Sequence, residues 1–119
     1  RTARLALQKA LMKDPDNVIA KNGIEYINLC ETKSNEFFDI AQHEYQENNY
    51  ASAIEYCNRA IDFYHNSPQI AKLKAMSYEK ELNYRGAVKY YQQYLAMNPN
   101  AADRAEIMKK MEKFQPKAN

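Results

Sequence analysis

The residues of this chain that could hold a metal ion are few. Asp39 and His43 lie one helical turn apart, so their side chains can share a face and supply two ligands. No third ligand follows at a compatible spacing, and an exposed polar pair is the simpler interpretation. His65 stands beside a predicted helix end, where an imidazole can meet the negative end of the helix dipole, which is a structural role. We therefore expect no metal site.

The two cysteines, Cys30 and Cys57, belong to no catalytic or redox motif. They lie 27 positions apart and form no Cys-x-x-Cys pair. The chain also lacks a His-Glu-x-x-His pattern, a glycine-rich phosphate loop and a Gly-x-Ser-x-Gly turn. We interpret the cysteines as small apolar residues on helices. The sequence predicts a protein that is not an enzyme and that needs no cofactor.

Charge and aromatic content narrow the class of partner. The 119 residues carry a formal net charge of +2, too small to indicate nucleic acid or an anionic membrane. Ten tyrosines would suit base stacking, but most fall on apolar helical stripes without interleaved basic runs. Residues 1–69 carry 7 basic and 10 acidic side chains, and residues 70–119 carry 10 and 5. This gradient could orient an acidic partner, although a solvated charged face is the simpler interpretation.

The sequence indicates little about the compartment. It has no apolar run of membrane-spanning length, so we expect no direct membrane insertion of these residues. It begins with Arg rather than Met, so we expect it to be part of a longer chain. The localisation stays unknown at this stage.

Helices are the elements that would position these residues. Apolar residues recur at spacings of three and four, and only two glycines and four prolines argue against a many-stranded β fold. One apolar stripe predicts a helix of about four turns from Tyr50 to Tyr64. Another predicts a helix from Tyr84 that ends before the Asn-Pro-Asn at 98–100. A helix of a different pattern lies between them, with Pro68 near its first turn.

The N-terminal third also predicts helix. Asp16 or Asn17 can cap a helix, and the apolar spacing allows it to run unbroken over about residues 18–47. A turn signal at Gly23 argues for an interruption. We expect a kink or break between residues 31 and 35.

The last helix is predicted to have one apolar side and a charged remainder, as a terminal cap of a stacked protein requires. The apolar side consists of Ala101, Ala105, Met108, Met111 and Phe114.

The apolar stripes repeat at a fixed interval. Aligned without a gap, Tyr50, Ala53, Ile54, Tyr56 and Ile61 meet Tyr84, Ala87, Val88, Tyr90 and Leu95, whose numbers are each higher by 34. A period of 34 with aromatic and alanine positions in helix pairs resembles the tetratricopeptide repeat. The resemblance implies an all-α fold: a right-handed α-solenoid of antiparallel helix pairs with about 7 helices. In that family small residues lie where helices cross closely, and stacking of neighbouring pairs buries a continuous core.

The resemblance divides the chain into four parts. Residues 1–33 form an N-terminal helical extension, which is the end of a preceding repeat plus an extra helix. Residues 34–67 and 68–101 form two repeats, and residues 102–119 form a capping helix and tail. Ala10 of the extension and its counterpart Ala60 in the first repeat are separated by about one and a half periods rather than one, so the chain is longer here than the repeat requires.

Three positions depart from the family pattern. Glu44 stands where a bulky apolar residue is usual, Lys74 replaces a leucine, and Tyr94 replaces the second alanine. Tyr50 and Tyr84 come just before the body of the second helix of each repeat. We expect both rings to pack on the helix that precedes them.

The function implied by the resemblance is non-catalytic protein–protein interaction or assembly. In this family the first helices of stacked repeats line a concave groove that receives a peptide or a helix of a partner protein. We expect the groove to be lined by Phe38, Gln42, Tyr45, Lys72, Leu73, Met76 and Lys80. We expect that the core of the helix pairs does not need the apolar members of this set, so they can bind a partner.

Two alternatives stay open. The exposed apolar surface could form a homodimer or pack on the rest of a longer chain, which is a structural function. Residues 18–33, or parts of the chain outside this sequence, could fold back and cover the apolar strip. Some family members bind carboxylate-ended chaperone tails through Lys and Asn. The full basic-and-amide set is absent here, so we predict no such recognition.

Overall fold

The computed structural model describes residues 2–64 and 67–118, and every regular element in these ranges is an α-helix. The helices are α1 (Thr2–Lys13), α2 (Val18–Gln46), α3 (Tyr50–Phe63), α4 (Pro68–Lys80), α5 (Tyr84–Met97) and α6 (Arg104–Ala118). The all-α prediction is confirmed for these residues, with six helices rather than about seven because α2 is one long helix. The predicted role of His65 lies outside the described residues. None of the described helices is long and apolar enough to cross a membrane.

α2 is continuous from Val18 to Gln46, so the break expected between residues 31 and 35 is wrong. Ser34 in that stretch is buried, and its Oγ donates a hydrogen bond to the Ala60 carbonyl at 2.8 Å, which ties α2 to the last turns of α3. Gly23 lies inside α2 rather than at a turn, and α1 approaches it closely. A Cβ at Gly23 would lie 2.8 Å from Leu7 Cδ1. α2 therefore also runs across the predicted boundary between residues 33 and 34.

Helices that follow one another in sequence pack together. The last turn of α2 meets the first residue of α3, with the Tyr45 and Tyr50 ring centroids 5.4 Å apart. Phe37, two turns earlier in α2, stacks on Phe63 near the end of α3. α2 also contacts α4, so the chain returns to the same side after α3. The described part measures 57 × 29 × 23 Å.

Two apolar clusters form the core. One lies among α2, α3 and α4 and includes Ala41, Cys57, Ala60, Ile70 and Leu73. The other lies among α4, α5 and α6 and includes Ala71, Ala75, Ala87, Val88, Tyr91, Tyr94, Ile107 and Phe114. The buried stripe of α3 recurs in α5 at the interval predicted from the sequence: Ala53, Ile54, Cys57 and Ala60 correspond to Ala87, Val88, Tyr91 and Tyr94, and all are buried.

The ends of α2 and α4 have the same backbone geometry. Asn48 and Leu82 are separated by one period of the repeat, and both have positive φ, at 65° and 62°. The N–H of the residue that follows each one donates to a carbonyl five residues back, at 2.8 Å in the first turn and 2.9 Å in the second. This is the left-handed helix ending that reverses a chain within a few residues. The repeated interval in the sequence therefore corresponds to a repeated turn.

Tyr50 and Tyr84 do not have equivalent surroundings. Tyr50 packs on Tyr45 of the preceding helix, as expected. Tyr84 packs on Phe114 of α6, with ring centroids 4.8 Å apart, and lies against the cluster that includes Ala71 and Ala75 of α4. The residue of α4 that corresponds to Tyr45 is Glu79, which offers no ring, and the aromatic partner comes from the last helix instead.

The apolar side predicted for the last helix is also wrong in part. Ala105 and Met108 are exposed, whereas Ile107 and Phe114 are buried against α5 and Met111 packs beside them. Residues 107, 111 and 114 follow the helical spacing of four and three, and they carry more apolar surface than the side containing Ala105.

Gly86 of α5 lies directly against the ring of Tyr78 of α4. Substitution of this glycine therefore tests how closely α4 and α5 cross. A Cβ at Gly86 would lie 2.8 Å from Cγ and Cδ1 of the Tyr78 ring, which stacks on Tyr90. We expect Gly86→Ala to lower the free energy of unfolding, because overpacking costs about 1–3 kcal/mol and exceeds the helix-propensity gain of about 1 kcal/mol. Urea unfolding measures the difference. Ser52→Ala, at the corresponding position of α3, is the control and should change stability little; equal effects of both substitutions would contradict the crossing.

Leu82 is strained, and its replacement should stabilise the protein. It is 70% exposed and adopts a left-handed conformation that disfavours residues with a Cβ. The corresponding residue is Asn48, a type that tolerates this conformation. Leu82→Asn should raise the free energy of unfolding by about 1 kcal/mol, and Asn48→Leu should lower it by a similar amount. Thermal unfolding of the two variants checks both signs.

Candidate functional site

A depression between α2 and α4 gathers most of the predicted groove residues. It has a volume of about 270 Å³ and is lined by Phe38, Gln42, Gln69, Lys72, Leu73 and Met76. These residues come from two separate parts of the chain, which the α2–α4 contact brings together. Five of the seven predicted residues therefore line one surface.

The other two predicted residues lie elsewhere. Tyr45 packs against Tyr50, and burial raises its pKa, with smaller contributions from the neighbouring Tyr50 and Glu79. Lys80 is exposed at the end of α4, outside the depression.

The expectation that Leu73 is not needed by the core is wrong. It is only 7% exposed and belongs to the cluster that includes Ala41 and Ile70. Phe38 is half-buried against the same cluster, and Met76 packs against the second one. The apolar residues of the depression are therefore the outer edge of the core.

A second depression continues the first along the same two helices. It has a volume of about 320 Å³ and is lined by Glu31, Ser34, Asn35, Phe38, Tyr64, Ser67, Gln69 and Ile70. Phe38 and Gln69 border both depressions. We call the combined surface the α2–α4 trough. Its apolar floor is bordered mainly by amides and hydroxyls, groups that can donate to and accept from a peptide backbone.

Lys72 at the edge of the trough is held by the segment before α6. Its Nζ donates to Asp103 Oδ2 at 2.6 Å, and the Tyr94 hydroxyl donates to Asp103 Oδ1 at 2.7 Å. The hydrogen bonds from Lys72 and Tyr94 hold the pKa of Asp103 below its usual value, against the effect of burial. The same bond raises the pKa of Lys72, although burial opposes it. The ammonium is therefore already paired with a carboxylate.

A second polar network closes the space between α4 and α6. The buried Tyr91 donates its hydroxyl proton to Glu79 Oε1 at 2.7 Å, and Lys110 Nζ lies 3.5 Å from the same oxygen. Burial, followed by the bond to Glu79, raises the pKa of Tyr91. The two networks thus leave the charges of Lys72 and Glu79 already paired, and among the trough residues of α2 the charged one is Glu31.

Lys74 is a buried cation whose charge lies over an aromatic ring. It is 5% exposed, and its Nζ lies 3.9 Å from the centroid of the Tyr90 ring. Burial alone would raise the pKa of Tyr90, but hydrogen bonding and charge from Lys74, with a contribution from Lys89, hold it below its usual value. A cation over an aromatic face is a stable arrangement, so we assign Lys74 a structural role.

Asp39 and His43 are exposed, and the described residues contain no group of three or more His, Cys, Asp or Glu side chains that could hold a metal ion. Burial raises the pKa of the Cys57 thiol to about 12, with nearby Lys74 opposing the shift, so little thiolate forms at neutral pH. Cys30 and Cys57 are not bonded to each other.

Asp103 and Glu31 were missed from the sequence as site residues. Lys72 and Asp103 are 31 residues apart, and no local pattern pairs a groove lysine with a carboxylate ahead of a capping helix. Glu31 is paired with Arg4 of α1 and borders the trough only because α2 is unbroken.

Comparison with known proteins adds no relative: no family model matches the chain, and a search of the curated proteins finds no match.

The Asp103 network predicts a pH-dependent stabilisation. Because the folded pKa lies below the usual 3.8, the carboxylate stabilises the fold above that value, and the contribution is lost as pH falls through the folded pKa. Asp103→Asn should lower the free energy of unfolding at pH 7 by about 1 kcal/mol, a small value because the Lys72 side chain is 38% exposed. Urea unfolding should show the deficit shrinking as the pH falls below about 4.

Glu112→Gln is the matched control, because it removes an exposed carboxylate of α6. It should leave stability unchanged at neutral pH. The network would be contradicted if Asp103→Asn were as stable as the wild type at pH 7. It would also be contradicted if the loss of unfolding free energy were just as large in acid.

Proposed function

We propose that the protein is a non-catalytic interaction module, built of two tetratricopeptide-like repeats, that binds a peptide segment of a partner protein in the α2–α4 trough. The helical hairpins are the second half of α2 with α3, and α4 with α5. The repeated buried stripe, the equal turns at Asn48 and Leu82, and the α2–α4 contact support a stacked, solenoid arrangement. Tyr84 packs on Phe114 of α6, unlike Tyr50, because the second hairpin lies next to this last helix.

The observation that carries the proposal is the continuity of the trough. Two depressions share Phe38 and Gln69, so a bound chain can pass from one to the other without leaving the surface. Apolar side chains of the ligand would contact Phe38 and Met76, and the exposed amides of Gln42 and Gln69 would meet its backbone. This combination favours an uncharged, partly apolar segment.

The pairing of Lys72 limits the class of ligand. A carboxylate-ended tail needs free cations, but Lys72 is bound to Asp103, and Lys110 further along is bound to Glu79. A ligand carboxylate would have to break one of these pairs. This supports the prediction that acidic chaperone tails are not recognised.

The proposal is tested with a random dodecapeptide library. Peptides selected on the wild-type protein are measured by fluorescence anisotropy against the wild type and against Gln42→Glu/Gln69→Glu. Both glutamines are exposed, so the fold should be kept, whereas two carboxylates in the trough should weaken binding at least about tenfold. Leu73→Glu is unsuitable for this purpose because Leu73 belongs to the core.

The matched control is Gln8→Glu/Gln92→Glu, which adds the same charge at exposed positions of α1 and α5. Its affinity for the selected peptides should equal that of the wild type. Equal weakening by both double variants, or by neither, would show that the trough is not the binding surface.

A further inference from the structure

The outer face of α2 carries a continuous exposed stripe that the trough does not use. It consists of residues spaced alternately by three and four positions, which places them on one face of a helix: Ile19, Asn22, Tyr26, Leu29, Lys33, Glu36 and Ile40. All seven are exposed, and the apolar members include Ile19 at 82%, Tyr26 at 68% and Leu29 at 56%. We call this face the α2 stripe. Its spacing is that of a two-helix seam.

The first half of the stripe extends beyond the end of α3. α3 has 14 residues and runs back along only the second half of the 29-residue α2. α1 covers another side of the first half, where Leu7 meets Gly23. Residues 19–30 of α2 extend past the end of α3. On that side of α2, none of the described helices packs against them. Phe63, 43% exposed, marks the point where α3 ends beside Phe37.

The charges of the stripe favour a second copy of the chain over a strongly charged partner. The stripe holds one cation and one anion, Lys33 and Glu36, which lie 3.6 Å apart as an ion pair. In an antiparallel pair centred between residues 27 and 28, Tyr26 of each copy faces Leu29 of the other. Lys33 then faces Asn22, so no like charges meet.

The size of the stripe sets the expected strength. From Ile19 to Ile40 it extends about 31 Å along a helix about 11 Å wide, a footprint of roughly 350 Å². A stable interface buries about 800 Å² on each partner, so this surface supports a weak association.

We propose that the α2 stripe binds the α2 stripe of a second copy, antiparallel and about a two-fold axis, in a weak homodimer. The trough lies on another face of α2, so the dimer leaves both troughs accessible. This association is independent of the proposed peptide binding.

Sedimentation equilibrium between about 10 and about 500 µM measures the association, for which we expect monomer at the low end and a substantial dimer fraction at the high end. Tyr26→Lys and Leu29→Lys should each weaken it at least about tenfold, because each places a charge in the apolar centre. Both side chains are more than half exposed, so the helix content by circular dichroism should be unchanged. Leu82→Lys, which changes another exposed leucine away from the stripe, should associate as the wild type does.

A pair of substitutions at Asn22 tests the antiparallel arrangement. Asn22→Glu should strengthen the association, because Lys33 of the other copy lies opposite, and Asn22→Lys should weaken it. In a parallel pair both would weaken it, because like charges would face each other. Monomer throughout the range, wild-type association of both Tyr26→Lys and Leu29→Lys, or weakening by Asn22→Glu would overturn the proposal, whatever the result of peptide binding to the trough.

Discussion

Close approach between neighbouring helices is the constraint on which the rest of the structure depends. The helices can approach because small residues on them lose all exposed surface: Ala41 on α2, Ala53 and Ala60 on α3, Ala71 and Ala75 on α4, and Ala87 on α5. Larger side chains fill the space on either side of each crossing. A helix pair of this kind hides only part of its apolar surface, so the pairs must also pack on each other.

The trough follows from this packing. Contact between α2 and α4 leaves a furrow whose floor is the edge of the core, formed by Leu73, Phe38 and Met76. Polar networks then fix its C-terminal end, because Asp103 ties α4 and α5 to the segment before α6. The part of the trough near α2 carries one charged side chain, Glu31, which is paired with Arg4. Binding is therefore proposed at the place where core packing ends.

Local features of the sequence were sufficient for the helix ends and for the repeated stripe. They depend on periodicity and capping, as at Asn17, whose side chain accepts a hydrogen bond from the Ala20 N–H. The errors arise where a distant contact outweighs a local signal. Gly23 lies within α2 with Leu7 packed against it, and the aromatic partner of Tyr84 comes from α6. The same applies to the site: five trough residues were predicted, but the pairing of Lys72 with Asp103, which lies 31 residues further along the chain, was not.

The free energy of unfolding of alanine-to-leucine variants tests the close helix crossings most directly. Ala53→Leu and Ala87→Leu place extra volume at fully buried crossings, and each should lose about 1–3 kcal/mol in urea unfolding. Ala51→Leu and Ala96→Leu make the same change at exposed positions of α3 and α5 and should stay close to the wild type. Buried variants as stable as the exposed ones would contradict the close approach of the helices, and with it the stacked arrangement and the trough.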